Sequence, residues 1–411
     1  MCAGSDDYAP PKITAAFSLV LLQYLRTSGA LMPLAAAIAG LGFVGRAHLD
    51  ALRRLGIPTR GILGSTPERS KAAGDAFGLD RAYKSVDDLA GDDSVQVVHL
   101  CTPNHLHFQE AGRLLRAGKH VLCEKPLALD SRESSTLVAL LRETGRVGAV
   151  AYNLRYYPLL QEARSLIRKG AVGQVKLVHG SFLQDWLLFP TDWNWRLEAK
   201  LGGELRAVSD IGTHWLDLAM WLTDSKVSDL CADLHTVLPS RRRPKGSVES
   251  FQKAGTTEAE EVMITTDDYA SVLLHFENEA RGVVSVSQVS AGRKARLWIE
   301  VDGADGSLAF DTESPNNLWI GRRDRPCEIF PKDPALQSPE SRGYAAYPAG
   351  HAEGYPDTFV QLFKDFYAYL ANGDFKAPRT FPTFETGHDE LVLCEAIAES
   401  AQKKAWISVS A

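Results

Sequence analysis

Apolar residues along the chain fall into two rhythms, and the change comes near Asn153. From Leu34 to Tyr152, short, almost wholly apolar runs alternate with stretches whose apolar positions recur at helical spacing. The runs Leu34–Ala39, Thr59–Leu63, Val95–Cys101, His120–Cys123 and Val147–Ala151 read as strands. Arg46–Leu55, Pro67–Phe77, Leu106–Ala117 and Ser131–Glu143 read as the helices between them. Strands that lack polar alternation are buried on both faces. Strands separated by helices make a parallel sheet with helices on both sides. The expectation is a doubly wound α/β domain over 32–153.

After Asn153 the spacing is different. A helix over Leu159–Lys169 ends at Gly170, and a strand follows at Val175–Phe182. Further strand patterns at Leu230–Leu238, Tyr269–Phe276, Gly282–Gln288, Ala295–Val301, Ser307–Phe310 and Leu318–Ile320 are joined by short links. Short links favour antiparallel neighbours, so 154–411 should be an α+β domain with a large, mostly antiparallel, open-faced sheet. Phe330–Tyr355 is a long, aromatic, Pro/Gly-rich stretch of the kind that is usually functional. Helical patterns near Asp357–Ala371 and Phe384–Lys404 close the chain.

A length of 411 residues fits two such domains. The net charge of −6 argues against a nucleic-acid partner. The basic run Arg241–Lys245 is expected to be a solvated loop. The six cysteines are scattered without zinc-ligand spacing, so no metal is expected and a reducing, cytoplasmic setting fits best. The apolar run Ile13–Leu22 is too short to span a membrane. Residues 1–31 read as an extension upstream of the first strand, with secretion as the alternative.

Gly40-Leu41-Gly42-Phe43-Val44-Gly45 directly follows the first strand and opens a helix. That context turns a common six-residue glycine spacing into a candidate dinucleotide turn. Gly40 allows the tight turn, Gly42 lets a pyrophosphate approach the backbone, and Gly45 lets helix and strand pack closely. The plain alternative is a strand–turn–helix with incidental glycines. The second strand ends in Leu63-Gly64-Ser65-Thr66-Pro67-Glu68-Arg69, with no acid to hold a ribose 2′-hydroxyl. Ser65, Thr66 and Arg69 suit a 2′-phosphate, which favours NADP over NAD; the alternative is that they only start a helix.

Glu124-Lys125-Pro126 follows the strand His120–Cys123 at its carboxyl end, where ligands of open α/β sheets bind. A surface ion pair is the alternative. Asp210 and His214 are one helical turn apart and Asp217 follows, so the three share a face. Ile211, Trp215, Leu218 and Leu222 form a separate apolar stripe. A histidine beside a carboxylate suits general acid–base work near neutral pH. An ordinary amphipathic surface helix would show the same pattern.

In order and spacing, AGLGFVGRAH, CTPNHLH, GKHVLCEKPLA and DIGTHWLDL resemble the Gfo/Idh/MocA family of oxidoreductases over roughly 34–400. The resemblance implies a Rossmann domain and an α+β domain whose open sheet makes a homodimer or homotetramer. It implies catalytic roles for Lys125, Asp210 and His214. It also implies cofactor contacts from the glycine turn, including Phe43 and Val44, and from Thr102, Pro103, Asn104, His107, Glu124 and Lys125. YNLRYYP, with Asn153 and Arg155, is similar to the family's domain junction and adds both to the substrate set. QDW at Gln184–Trp186, DWNWR at Asp192–Arg196 and the later PAGHAEGY resemble a carbohydrate-oxidising branch with levoglucosan-type dehydrogenases. Gln184, Trp186 and Trp195 then join Asp210 and His214 as substrate contacts, while Trp193 and Trp195 could equally be packing residues. His351 is expected to be loop structure.

The expected activity is hydride transfer between a nicotinamide and a secondary alcohol of a small sugar, polyol or glycoside. Two alternatives are a non-enzymatic dinucleotide-dependent sugar sensor and a glycosidase that uses NAD redox chemistry without net oxidation. Fold alone does not separate them.

Overall fold

A computed structural model describes residues 34–245 and 258–409. The apolar run Ile13–Leu22 lies outside the described residues. The first domain is a six-stranded, wholly parallel sheet: β1 (Ala36–Ala39), β2 (Thr59–Leu63), β3 (Arg81–Tyr83), β4 (Val97–Leu100), β5 (His120–Cys123) and β6 (Gly148–Val150). Its order is β3-β2-β1-β4-β5-β6. β1, β4, β5 and β6 are buried at every position, as their unbroken apolar runs require. β3 is three residues with two exposed, too short and polar to show in the sequence pattern.

The helices start and stop on local chemistry. Thr66 caps Pro67–Phe77 by accepting from the Arg69 amide, and Gly78 ends that helix at φ 64°. Asp130 caps Ser131–Thr144 from the Glu133 amide, and Gly145 ends it at φ 63°.

The second domain is built on a nine-stranded sheet. Its strands are β7 (Val175–Leu183), β8 (Val227–His235), β11 (Tyr269–Phe276), β12 (Arg281–Ser287), β13 (Arg296–Gly303), β14 (Ser307–Asp311), β15 (Asn317–Gly321), β16 (Glu328–Pro331) and β17 (Ile407–Ser408). The order is β16-β15-β14-β13-β7-β12-β11-β8-β17. Every pair is antiparallel except β7 with β12. Alternate residues are buried along β11 and β13, the mark of a sheet covered on one face. Helices Pro158–Arg168 and Thr213–Thr223 cover that face. Trp215 is fully buried between helix and sheet, and its Nε1 donates to the Trp298 carbonyl at 3.0 Å. Gly180 makes this possible, because a Cβ there would stand 2.6 Å from the indole nitrogen.

The basic run is not a loop. It forms β9 (Ser240–Pro244), paired antiparallel with β10 (Ala259–Met263). Arg243 pairs with Glu260 and Lys245 with Glu258 across the hairpin, while Arg241 is buried against Asp268. Three of its four cations are thus paired, and Arg242 stays exposed. The acids that pair with them lie too far along the chain for the basic run to reveal them.

Helices Tyr355–Asn372 and Phe384–Lys403 return to the first domain. Phe359, Phe363, Phe366 and Tyr367 pack with Ile38, Leu49, Val97 and Leu122 beneath the parallel sheet. Phe384 joins the core on the opposite side. Helix Tyr355–Asn372 thus packs on the first domain, while the last helix bridges both: Phe384 and Leu391 join the first core, Leu393, Cys394 and Ile397 the second, and β17 the large sheet.

Candidate active site

The glycine turn is built as an anion cradle. Gly40 sits at φ 106°, and a Cβ there would lie 2.2 Å from the Cys101 carbonyl oxygen. A Cβ on Gly45 would lie 2.2 Å from the Gly40 carbonyl oxygen. Gly42 has open space where a side chain would point. It precedes helix Phe43–Arg54 without a side-chain cap, so Phe43, Val44 and Gly45 present first-turn amides to an approaching phosphate. The residues fit a dinucleotide.

At the β2 tip, Arg69 Nη1 donates to Ser65 Oγ at 3.3 Å, and Thr66 Oγ1 accepts from the Arg69 amide at 3.3 Å.

Across the cleft, Lys125 and Asp210 meet. Lys125 Nζ donates to Asp210 Oδ1 at 2.9 Å and to the Asp210 carbonyl oxygen at 2.6 Å. Arg196 Nε lies 3.2 Å from the same Oδ1, and Gln288 Nε2 donates to Oδ2 at 2.8 Å. Burial alone would raise the Asp210 pKa, but Lys125 and Arg196 outweigh it and hold the carboxyl well below its ordinary range. Asp210 lies in a π-turn, Val208–Gly212, where the Thr213 amide bonds back to Val208. Single π-turns in helices are frequent at functional sites.

His214 begins the helix that follows. It is 8 % exposed, and its ring meets Tyr152 edge-on at 5.7 Å. Nδ1 has no hydrogen-bond partner among the described residues. Burial first, then the Lys125 charge, push its pKa well below the ordinary imidazole value, against a smaller opposing effect of Asp210. The imidazole is neutral and able to accept a proton.

Of the three acid–base candidates, Asp217 is already engaged: 1 % exposed, it is gripped by the Arg155 guanidinium. The helix is buried all round, so the amphipathic-surface alternative falls away. Several other expected contact residues have their polar atoms engaged inside the protein. Asn153 donates to Thr358 Oγ1 at 2.7 Å, and Asn104 to the Gly202 carbonyl at 3.0 Å. Both His107 nitrogens face carbonyls, of Thr102 and Pro126, each at 2.8 Å. These residues shape the walls. Thr102 Oγ1 donates to Glu110, and Pro103 precedes helix Asn104–Arg116.

Gln184 is buried, and its Oε1 accepts from Trp186 Nε1 at 2.8 Å. Trp195 carries the Arg196 guanidinium on its ring at 4.4 Å. Trp193 is a packing residue, 7 % exposed in a small cluster with Leu187, Leu197 and Ile264. His351 is exposed and its ring bonds within its own loop, as expected.

Sequence reasoning missed Arg196, Gln288 and Tyr355 as site residues. Arg196 and Tyr355 stand inside motifs it singled out, so their signal was available. Gln288 is the last residue of a strand pattern, and nothing local marks it. Tyr355 stacks on Phe43 with centroids 6.3 Å apart and planes at 13°, closing the long loop over the glycine turn. A His179, Glu300 and Asp302 trio with metal-ligand spacing lies on the outer sheet face, away from this cleft.

Comparisons with known proteins give the family. Residues 34–152 match the model of an oxidoreductase family with an NAD-binding Rossmann fold, and 160–309 match the GFO/IDH/MocA C-terminal domain. The chain belongs to the Gfo/Idh/MocA family. It is an oxidoreductase with a nicotinamide-dinucleotide domain. It is similar to levoglucosan dehydrogenase of Pseudarthrobacter phenanthrenivorans, with 29 % identity over 90 % of this chain and 97 % of the relative. D-apiose dehydrogenase of Paraburkholderia graminis is 27 % identical, over 89 % and 87 %. A solved levoglucosan dehydrogenase bound to NADH and L-sorbose superposes with a TM-score of 0.83 at 28 % identity, covering 92 % of this chain and all of the other. An inositol dehydrogenase homolog from Azotobacter vinelandii, bound to NADH and myo-inositol, gives 0.80 at 25 %, covering 92 % and 98 %. Among the described residues no helix is long and apolar enough to cross a membrane.

Proposed function

We propose that this Gfo/Idh/MocA oxidoreductase interconverts a secondary alcohol and a ketone on a small carbohydrate or polyol. The observation that carries the reading is the pairing of Lys125 Nζ with Asp210 at 2.9 Å beside a buried, neutral His214. His214 takes the hydroxyl proton in oxidation and returns it in reduction. The Lys125 ammonium stabilises negative charge developing on that oxygen. Asp210, kept ionised, holds the ammonium in place. A nicotinamide bound along the glycine turn supplies the hydride acceptor or donor. Gln184, Trp186, Trp195 and Arg196 border the same space with one amide, aromatic faces and a cation, a set suited to a hydroxylated ring.

NADP is the preferred cofactor on this reading. Ser65, Thr66 and Arg69 offer two hydroxyls and a cation where an acid would otherwise meet the ribose. The two solved structures named above hold NADH, so the β2 tip is the point to test. We assign the open face of the large sheet to contact with a second copy. Leu273, Val283 and Ile329 stand on one transverse row of that face at 49 %, 41 % and 61 % exposure.

The deciding experiment incubates the protein with levoglucosan, myo-inositol and a panel of hexoses, with NAD⁺ and NADP⁺ separately, and follows absorbance of the reduced nicotinamide. Sugar-dependent reduction is expected. Dinucleotide binding without turnover of any sugar would favour a sensor, and hydrolysis of a glycoside without net reduction would favour a glycosidase.

A further inference from the structure

A line of buried polar groups runs through the first domain and ends at the tip of β5. Tyr367 OH lies 3.0 Å from His99 Nε2, His99 Nδ1 lies 3.0 Å from His48 Nδ1, and His48 Nε2 lies 3.1 Å from Glu124 Oε1. Glu124 Oε2 accepts from the Lys125 amide at 3.2 Å. The four residues come from four elements: helix Tyr355–Asn372, β4, helix Phe43–Arg54 and the end of β5. His48 and His99 are fully buried, Tyr367 is 3 % exposed and Glu124 8 %. Phe359 and Phe363 pack their rings against the histidines at 4.6–5.1 Å. Water has no room to correct a mismatched donor or acceptor.

With one proton on each ring, the line has one direction. A carboxylate only accepts, so His48 carries that proton on Nε2 and accepts at Nδ1. His99 must then donate from Nδ1 and accept at Nε2, which leaves the Tyr367 hydroxyl as the donor at the far end. Burial keeps His99 neutral and Tyr367 protonated, as this assignment needs. The Cys101 thiol, 3.3 Å from His48 Nδ1, points a weak second donor at the same lone pair. Reversing the line would aim a ring lone pair at a carboxylate, and leaving any member unpaired would strand a buried polar atom.

We propose that Tyr367, His99 and His48 are positioning residues that act through Glu124, fixing its carboxylate as an oriented acceptor that sets the backbone of Lys125 at the nicotinamide end of the cleft. This rests on the reading of Lys125 as the group that faces the reacting oxygen. Neither histidine touches the reacting atoms. The line explains why a histidine follows the glycine turn on its first helix, a position that the phosphate cradle does not use.

The test is a double-mutant cycle. Tyr367→Phe removes one hydroxyl and keeps the ring that stacks on His99. Glu124→Gln removes the acceptor-only end. Bound NADH emission, NADH affinity, and kcat and KM with levoglucosan as probe are read for both singles and the double, with melting temperature as the folding control. Tyr367→Phe should lower kcat by about three- to tenfold with little change in KM, the scale of one lost hydrogen bond. It should also shift bound-NADH emission, and both effects should vanish in the Glu124→Gln background. Unchanged emission and kcat in Tyr367→Phe, or losses that multiply independently in the double variant, overturn the proposal. A second measurement needs no variant: ¹⁵N-histidine NMR of the wild type should place protons on His48 Nε2 and His99 Nδ1, and the opposite tautomers overturn it equally. A wild type that binds neither dinucleotide sinks the functional reading itself. Normal dinucleotide binding with uncoupled variants sinks this inference alone.

Discussion

Gln288 can face Asp210 in only one way. Its Oε1 accepts from Arg206 Nη1 at 2.6 Å, so the amide nitrogen must point at Asp210 Oδ2, which it reaches at 2.8 Å. Arg206 is 2 % exposed and anchored on Asp268, which also takes Arg241. The carboxylate that holds Lys125 is therefore oriented from behind by a buried network of Gln288, Arg206 and Asp268.

Gln288→Glu separates this orienting role from folding. The new carboxylate keeps a partner in Arg206, so the melting temperature should change little. It also sets a negative charge against Asp210 where a donor stood. Hydrogen bonds to charged groups are worth about 1.5–3 kcal/mol, so kcat/KM should fall about tenfold or more. Steady-state kinetics beside a thermal melt would check this, and unchanged kcat/KM would remove Gln288 from the site.

The two-domain plan was legible because buried parallel strands and half-covered antiparallel strands carry different apolar patterns. Lys125, and Asp210 with His214, were legible as candidates because they sit in two motifs, GKHVLCEKPLA and DIGTHWLDL. Gln288 was not, since its role depends on an arginine 82 residues away. The partner of Asp217 was hidden for a related reason. Asp217 follows His214 within the regular helix Thr213–Thr223, and its partner Arg155 stands 62 residues earlier, which local spacing does not show. Arg241 was misread because burial against Asp268 is a long-range fact, whereas a run of like charges is a local one.

The pH behaviour of the site should follow Lys125. Burial and the Lys125 charge hold His214 neutral, its pKa lowered well below the ordinary value, so protonation costs it more than it would cost a free imidazole. The acidic limb of kcat/KM for oxidation should accordingly lie well below pH 6.5, the limb being the loss of the base form as pH falls. Lys125→Met removes the depressing charge and frees Asp210 to act on the imidazole. The residual activity should then show its acidic limb at higher pH than the wild type. His214→Ala should lose about 10²–10⁴-fold in rate and have no such limb. Dinucleotide affinity should change little in His214→Ala, because the glycine cradle is untouched. A limb in the same place in wild type and Lys125→Met would show that another group controls the profile.

Cofactor order should reverse with one side chain at the β2 tip. Ser65→Asp places a carboxylate beside Arg69, which now bonds Ser65 Oγ at 3.3 Å. The acid would pair with the arginine, repel a 2′-phosphate and accept from a 2′-hydroxyl. Fluorescence titration should give tighter NADPH than NADH binding in the wild type and the reverse in the variant. Tighter NADH binding by the wild type would assign Ser65, Thr66 and Arg69 to starting their helix and nothing more.

The outer sheet face supplies the last prediction. Cross-strand register aligns Cys231, Leu273, Val283, His179, Glu300, Ala309, Trp319 and Ile329 in one row across eight strands. The inner face of the same sheet is sealed by Trp215 and its helix, so this row is what the sheet offers to a partner. Leu177 adds another apolar side chain on the same face of β7, 49 % exposed. Leaving such a surface in water is unfavourable by roughly 25 cal/mol for each Å² of apolar area that a second copy could cover. Leu273→Glu with Val283→Glu puts two charges on adjacent strands at the middle of the row, where like charges also repel their copies across a two-fold contact. Light scattering after size exclusion should show an oligomer in the wild type and a shift toward monomer in the double variant. Both substituted side chains point away from Lys125 and His214, so dinucleotide binding should survive. A wild type that elutes as a monomer, or a variant that stays assembled, would place the interface elsewhere.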